Sequence, residues 1–95
     1  MIVKWSKSAI LDLQEIYDFI HIKNPYAATS VQKSIILSTR KLGRFPNIGR
    51  PAQRDGHRLL VETKYGHVLV YRVLNNTVEI ASVHDGRMLR SDDIQ

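Results

Sequence analysis

Between Lys7 and about Ile22, apolar residues recur at steps of three and four: Ile10, Leu13, Ile16, Tyr17 and Ile20. This spacing predicts an amphipathic helix with one stripe on a core and with Asp12, Glu15 and Asp18 outside. Ser6 stands just ahead as a good N-cap, and Ile2 to Trp5 before it is short and β-prone, so a strand leads into the helix. Asn24-Pro25 is the clearest punctuation in the chain. The Asn side chain can accept from orphan N–H groups, and Pro at the first helical position lacks a donor that would go unsatisfied anyway. A second helix therefore starts there, with Ala28, Val31, Ile35, Ser38 or Thr39, and Leu42 as its stripe. It ends near Gly43, with Phe45 and Pro46 as a stop. A connector of about two residues makes the helices antiparallel neighbours, and their joint apolar face must lie on strands.

Asn47 to Gly56 contains Gly49, Pro51 and Gly56 with no period and reads as a loop. Arg58 to Thr63, His67 to Leu74 and Thr77 to His84 then read as a three-stranded meander. Tyr65-Gly66 and Asn75-Asn76 are its turns, the second suited to positive φ and a two-residue hairpin. With Leu74 opposite Thr77, Arg72 opposes Glu79, Val70 opposes Ala81, Val68 opposes Val83 and His67 opposes His84. One face then carries Leu69, Tyr71, Val73, Val78 and Ile80, with the two histidines at its end. The other carries Val68, Val70, Ala81 and Val83, with Arg72 and Glu79. Both faces are apolar, so one lies under the helical hairpin, and a partner protein is the expected cover of the other. The fold class is α+β, in the order β-α-α-β-β-β, a helical hairpin on a small, mainly antiparallel sheet.

The 95 residues suffice for one domain, residues 1–95, with a modest core. No apolar run approaches a membrane span, and the opening Met1-Ile2-Val3-Lys4-Trp5 lacks the long apolar segment of a secretory signal, so the expected compartment is the cytoplasm. The absence of cysteine removes disulfides, thiolate metal sites and thiol catalysis together. Lys and Arg number 14 against 9 Asp and Glu, a net charge of +5, which biases the molecule toward anionic partners. The excess is concentrated: Arg40, Lys41, Arg44, Arg50, Arg54 and Arg58 face only Asp55 in the same stretch. No aromatic residues interleave there as they would in a base-stacking platform.

Arg72 sits inside the apolar run His67 to Leu74, and an always-charged guanidinium there needs a carboxylate partner, an anionic ligand or an exposed face. An extra residue in the Tyr65-Gly66 turn would set Arg58 across from Arg72, a like-charge pair that calls for an anion between them. A strict two-residue turn would set Leu59 there instead and leave Arg72 to Glu79. His67 and His84 are the proton-transfer candidates near that end of the sheet, although no Asp or Glu other than the adjacent Asp85 stands obviously ready to hold one imidazole. With His21 at a helix end and His57 in the basic loop, the four histidines assemble no metal site. Trp5 and Tyr71 read as core or core-edge aromatics.

Strand, helical hairpin and meander, in that order, resemble the RelE/ParE superfamily of bacterial toxins over nearly the whole chain. The resemblance is carried by Trp5, Asp12-Leu13, Ile16-Tyr17, Asn24-Pro25, Ala27-Ala28 and Leu42 in the first half. Pro46, Gly49-Arg50-Pro51, Gly56-His57-Arg58, Val70-Tyr71-Arg72-Val73 and Val83 to Arg87 carry it in the second. The Gly-Arg-Pro loop, the Tyr-Arg-Val strand and the Gly86-Arg87 ending look more like the ParE branch. That resemblance implies a growth-inhibitory toxin of a type II toxin–antitoxin system, of the kind linked to plasmid stabilisation. A cognate antitoxin would neutralise it in a hetero-oligomer, and DNA gyrase would be its target, bound and stalled on cleaved DNA. Arg50, Arg54, Arg58, Arg72, Arg87 and Arg90 are then the antitoxin- or target-binding candidates, with no cofactor and no metal. The alternative is a RelE-like, metal-independent endonuclease that cuts mRNA on the ribosome with Arg58, Arg72, His84 and Arg87. A further alternative is a non-toxic module for an acidic partner. The tyrosine or histidine that several RelE-like enzymes use near the chain end has no counterpart after Arg87, and Asp85 fills the slot where ParE relatives often carry histidine before Gly86-Arg87.

Overall fold

The computed structural model describes residues 1–86 and contains, among them, β1 (Ile2–Trp5), α1 (Lys7–His21), α2 (Pro25–Arg44), β2 (Arg50–Pro51), β3 (Arg58–Val61), β4 (His67–Leu74) and β5 (Thr77–Asp85). The strands form one sheet in the order β1-β5-β4-β3-β2, with β1 parallel to β5 and every other pair antiparallel. Both expected caps are present. Ser6 Oγ accepts from Ala9 N and Asn24 Oδ1 from Ala27 N, each satisfying an N–H that has no partner within its helix. Asn75 and Asn76 both take positive φ, at 51° and 59°, as a two-residue hairpin between twisted strands requires.

The helical hairpin covers one side of the sheet, where Tyr71, Leu69, Ile80 and Val78 meet Ile35 and Leu42 in full burial. On α1 the buried contact is Ala9, with Leu13, Ile16 and Ile20 packed around it, whereas Ile10 lies exposed against expectation. Asp12 also departs from its expected place outside. It is half-buried, and its Oδ2 accepts from Val83 N at 3.0 Å. The cause is the short β1, which pairs with β5 only from Thr77 to Ile80. Past that point side chains of the α1 region take over from the missing strand: Ser6 Oγ donates to Ala81 O, and Asp12 takes the Val83 N–H.

Two expectations about the sheet are overturned. The β4–β5 register holds as expected from Leu74–Thr77 through Arg72–Glu79, then slips between Val70 and Tyr71, where Val70 pairs with Ser82 and leaves Ala81 as an extra residue. Leu69 therefore opposes Val83, Val68 opposes His84 and His67 opposes Asp85, so the expected Val70–Ala81, Val68–Val83 and His67–His84 pairs do not form. The slip moves Val83 onto the helix side, where it joins the main core. The second side of the sheet is also not left bare. Leu59, Val68 and Val70 are 6%, 7% and 3% exposed and form a small cluster of their own with Ala52 and Ala81. Ala52 belongs to the stretch expected to be featureless loop, which instead forms the two-residue strand β2 on β3 and folds back through an Ala52 N to His57 O hydrogen bond.

Candidate functional site

β3 lies on β4 with Arg58 opposite Tyr71 and Leu59 opposite Val70, a register that matches neither placement considered for Arg58 and Arg72. Neighbouring residues on β4 point to opposite sides, so Arg58, across from Tyr71, shares the helix side, while Arg72 and its partner Glu79 share the other. The two guanidinium groups do not converge. Arg72 Nε donates to Glu79 Oε1 at 2.9 Å, a cross-strand pair with both side chains about 40% exposed. Arg58 is half-buried and donates from Nη1 to Gly49 O at 2.7 Å.

That bond is one of three that pin the loop between α2 and β2. The fully buried Tyr71 hydroxyl donates to Pro46 O at 2.7 Å and accepts from Gly49 N at 3.0 Å. A Cβ at position 49 would lie 2.6 Å from both Leu59 O and the Tyr71 hydroxyl, so only glycine passes there. Burial raises the Tyr71 pKa, partly offset by the Gly49 N–H and by the Arg58 charge. The pinned loop runs from Arg44, the last residue of α2, to Arg50, the first of β2, with Arg40 and Lys41 one turn back on α2 and Arg54 beyond it in the β2–β3 connection. All five are exposed, and among the described residues none has a carboxylate within ion-pair distance. Arg87 and Arg90 lie outside the described residues.

A second site lies where α1 passes the far end of the sheet. Glu62, at the start of the β3–β4 turn, is 2% exposed and was not singled out by sequence reasoning. Its Oε2 accepts from Ser34 Oγ on α2 at 2.9 Å, from Lys64 N at 2.6 Å and from Tyr65 N at 3.0 Å; Oε1 faces His67 Nδ1 at 3.4 Å. Burial alone would raise the Glu62 pKa, but the hydrogen bonds from Ser34, Tyr65, Lys64 and His67 outweigh it and hold the carboxyl below its ordinary value of 4.5. Facing an ionised Glu62, His67 Nδ1 carries a proton. The carboxylate that no residue seemed placed to supply is thus Glu62. The one sequence signal for it was an acidic residue closing an apolar strand just before a tight turn, where a carboxylate can cap turn N–H groups.

His67 lines a groove of about 780 Å³ walled by Ile16 and Phe19 of α1, by Tyr65, and by Val83. Asp12, Glu15 and Asp85 also stand on its walls, against Lys64. His84 reaches the same groove and bonds to Ser82 Oγ through Nε2 at 2.8 Å, away from His67 in register. Among the described residues no group of three or more His, Cys, Asp or Glu could hold a metal ion, and no helix is long and apolar enough to cross a membrane.

The model of the family described as ParE toxin of type II toxin-antitoxin system, parDE, matches residues 3–90. A relative from Sinorhizobium fredii (strain NBRC 101917 / NGR234), named "Putative toxin Y4kP", is 31% identical over 81 residues, which cover 85% of this chain and 83% of that protein. A solved structure titled "Chromosomal ParDE TA system from P. aeruginosa" superposes with a TM-score of 0.81 at 25% identity, over 90% of this chain and 95% of that one.

Proposed function

Because the chain belongs to the ParE toxin family of type II toxin–antitoxin systems, we propose that it inhibits growth by binding DNA gyrase and stalling it on cleaved DNA, and that a cognate antitoxin neutralises it by covering the same basic surface. The observation that carries this reading is the pinned loop. A buried phenol, a glycine that tolerates no Cβ and a half-buried arginine hold the backbone between Arg44 and Arg50, both exposed and, among the described residues, without a carboxylate in ion-pair distance. A rigid array of guanidinium groups steers and fixes an anionic partner without needing to transfer a proton.

The ribosomal endonuclease alternative draws less support from the same geometry. Phosphodiester cleavage needs a clamp and an acid–base pair converging on one phosphate. Here Arg58 and Arg72 face opposite sides of the sheet, and each already has a partner. His84 is bonded to Ser82 and stands opposite Val68, on the side away from Arg58.

Purified gyrase with supercoiled plasmid tests the proposal. Addition of the chain should accumulate protein-linked cleaved DNA, and the charge-reversed variant Arg50→Glu with Arg54→Glu should not. Unchanged gyrase activity, together with codon-phased mRNA cuts in cells that express the chain, would replace the proposal by the endonuclease.

A further inference from the structure

The charges of this chain are segregated by helix. Asp12, Glu15 and Asp18 lie on α1, whereas no Asp or Glu stands between Asp18 and Asp55, a stretch that includes all of α2. From Lys33 to its end at Arg44, the exposed positions of α2 are Lys33, Leu37, Arg40, Lys41 and Arg44. Steps of three and four place them on one face, opposite the buried Val31, Ile35 and Leu42. Toward the N-terminus the same face continues through Ser30 and Thr29 to Tyr26, which is 88% exposed. Every polar side chain on it can donate a hydrogen bond, and none is a carboxylate.

Helix stability does not account for this face. The macrodipole favours Lys41 and Arg44 in the last turn, but its influence fades within that turn and gives no reason for Lys33 or Arg40. Arg40 and Arg44 are four apart, a like-charge spacing that weakens a helix. Among the described residues no carboxylate lies within ion-pair distance of any of these cations. The face therefore carries a local cost that an anionic ligand would remove.

The chemistry of the face selects the ligand. A protein interface needs apolar or aromatic anchors at its centre, and between Lys33 and Arg44 the exposed face offers only Leu37. A single strand is held by stacking its bases on aromatic rings, and none stands among these cations. Lys, Arg and hydroxyl side chains on a rigid helix are instead what contacts the phosphates of a duplex. The cations span about 17 Å of helix, a length over which one strand of B-DNA presents about five phosphates.

We infer that the outer face of α2 binds the phosphate backbone of duplex DNA through Lys33, Arg40, Lys41 and Arg44, without reading sequence. The inference deepens the gyrase reading above and rests on it for the duplex in question, the one on which gyrase is stalled. The chain would then hold two surfaces of one complex, the enzyme through the pinned loop and its DNA through α2.

The test measures fluorescence anisotropy of a labelled mixed-sequence duplex of about 20 base pairs titrated with the whole chain. Four phosphate contacts predict a slope of about −3.6 in log affinity against log salt, a loss of about 150-fold between about 50 and 200 mM salt. Lys33→Gln with Arg40→Gln and Lys41→Gln, melting at the wild-type temperature, should reduce the slope by about 2.7. Poly-glutamate of matched charge should bind more weakly than the duplex. No duplex binding by the wild type at about 50 mM salt, or an unchanged slope in the triple variant, would overturn the inference. Poly-glutamate bound as tightly as the duplex would assign the face to an acidic polypeptide, and tighter binding of single-stranded RNA of equal length would assign it to a transcript, both against the inference. The two readings fail separately. Gyrase poisoning without variant-sensitive duplex binding leaves the gyrase reading standing and removes the α2 contact, whereas variant-sensitive duplex binding without poisoning removes gyrase and keeps the DNA surface.

Discussion

The basic loop and the apolar groove differ in charge and in what holds them. The loop is pinned by a neutral hydroxyl, Tyr71, which completes its bonding with one donated and one accepted hydrogen bond. The groove floor is held by a carboxylate, Glu62, which collects a hydroxyl, two backbone N–H groups and an imidazole. Both anchors are buried and both order a turn, yet a buried charge needs far more compensation than a buried dipole. The fold thus stations its two surfaces on polar anchors of unequal cost, and perturbing each anchor separately measures that inequality.

The largest effect is expected at Glu62. Glu62→Ala leaves the Lys64 and Tyr65 N–H groups and the Ser34 hydroxyl without their acceptor and should cost about 3 kcal/mol in urea unfolding; a loss near zero would make the carboxylate dispensable. The pH dependence carries the same sign. Because the folded Glu62 pKa is lowered, its contribution is complete above the ordinary value of 4.5 and disappears as the pH falls through the lowered folded value. The variant should therefore lose part of the acid sensitivity of the wild type.

Tyr71→Phe should cost less, about 1.5 kcal/mol, since it strands one N–H and one C=O. Its pH signature lies on the other flank. With the folded pKa raised above 10.0, the wild-type contribution is complete below that value and is lost as the pH rises through the folded one, so the variant should unfold with a flatter alkaline limb. A Tyr71→Phe loss equal to that of Glu62→Ala would erase the contrast between the two anchors. The smallest effect belongs to Arg72→Ala, which removes an exposed cross-strand pair and should change stability by no more than about 0.5 kcal/mol. A loss several times larger would mean that the second face of the sheet depends on that pair.

Local chemistry made much of this fold legible. Ser6, Asn24-Pro25 and Asn75-Asn76 announce their caps and turn in a few adjacent residues, and the structure uses each as expected. The Arg72–Glu79 pair was legible for the same reason, because two residues of hairpin turn fix the register close to it. Just past the next pair, Tyr71–Ile80, nothing in the sequence marks Ala81 as the extra residue of a bulge, since neither Gly nor Pro stands there, and every residue beyond it changed partner. Glu62 and Asp12 were misjudged or overlooked because their partners are remote. Ser34 lies 28 residues from Glu62, and Val83 lies 71 from Asp12, distances at which periodicity carries no information. On the sheet face expected to need a partner, Leu59, Val68 and Val70 are instead buried with the chain's own Ala52 and Ala81 packed against them, and Ala52 follows a strand of two residues, too short to leave a pattern.

The most direct measurement of the functional account is gyrase-mediated DNA cleavage as a function of added protein. Wild-type chain should accumulate cleaved plasmid in a dose-dependent manner, and Arg50→Glu with Arg54→Glu should abolish that accumulation while melting at the wild-type temperature. Full poisoning by the charge-reversed chain, or none by the wild type at saturating concentration, would contradict the assignment of target binding to the pinned loop.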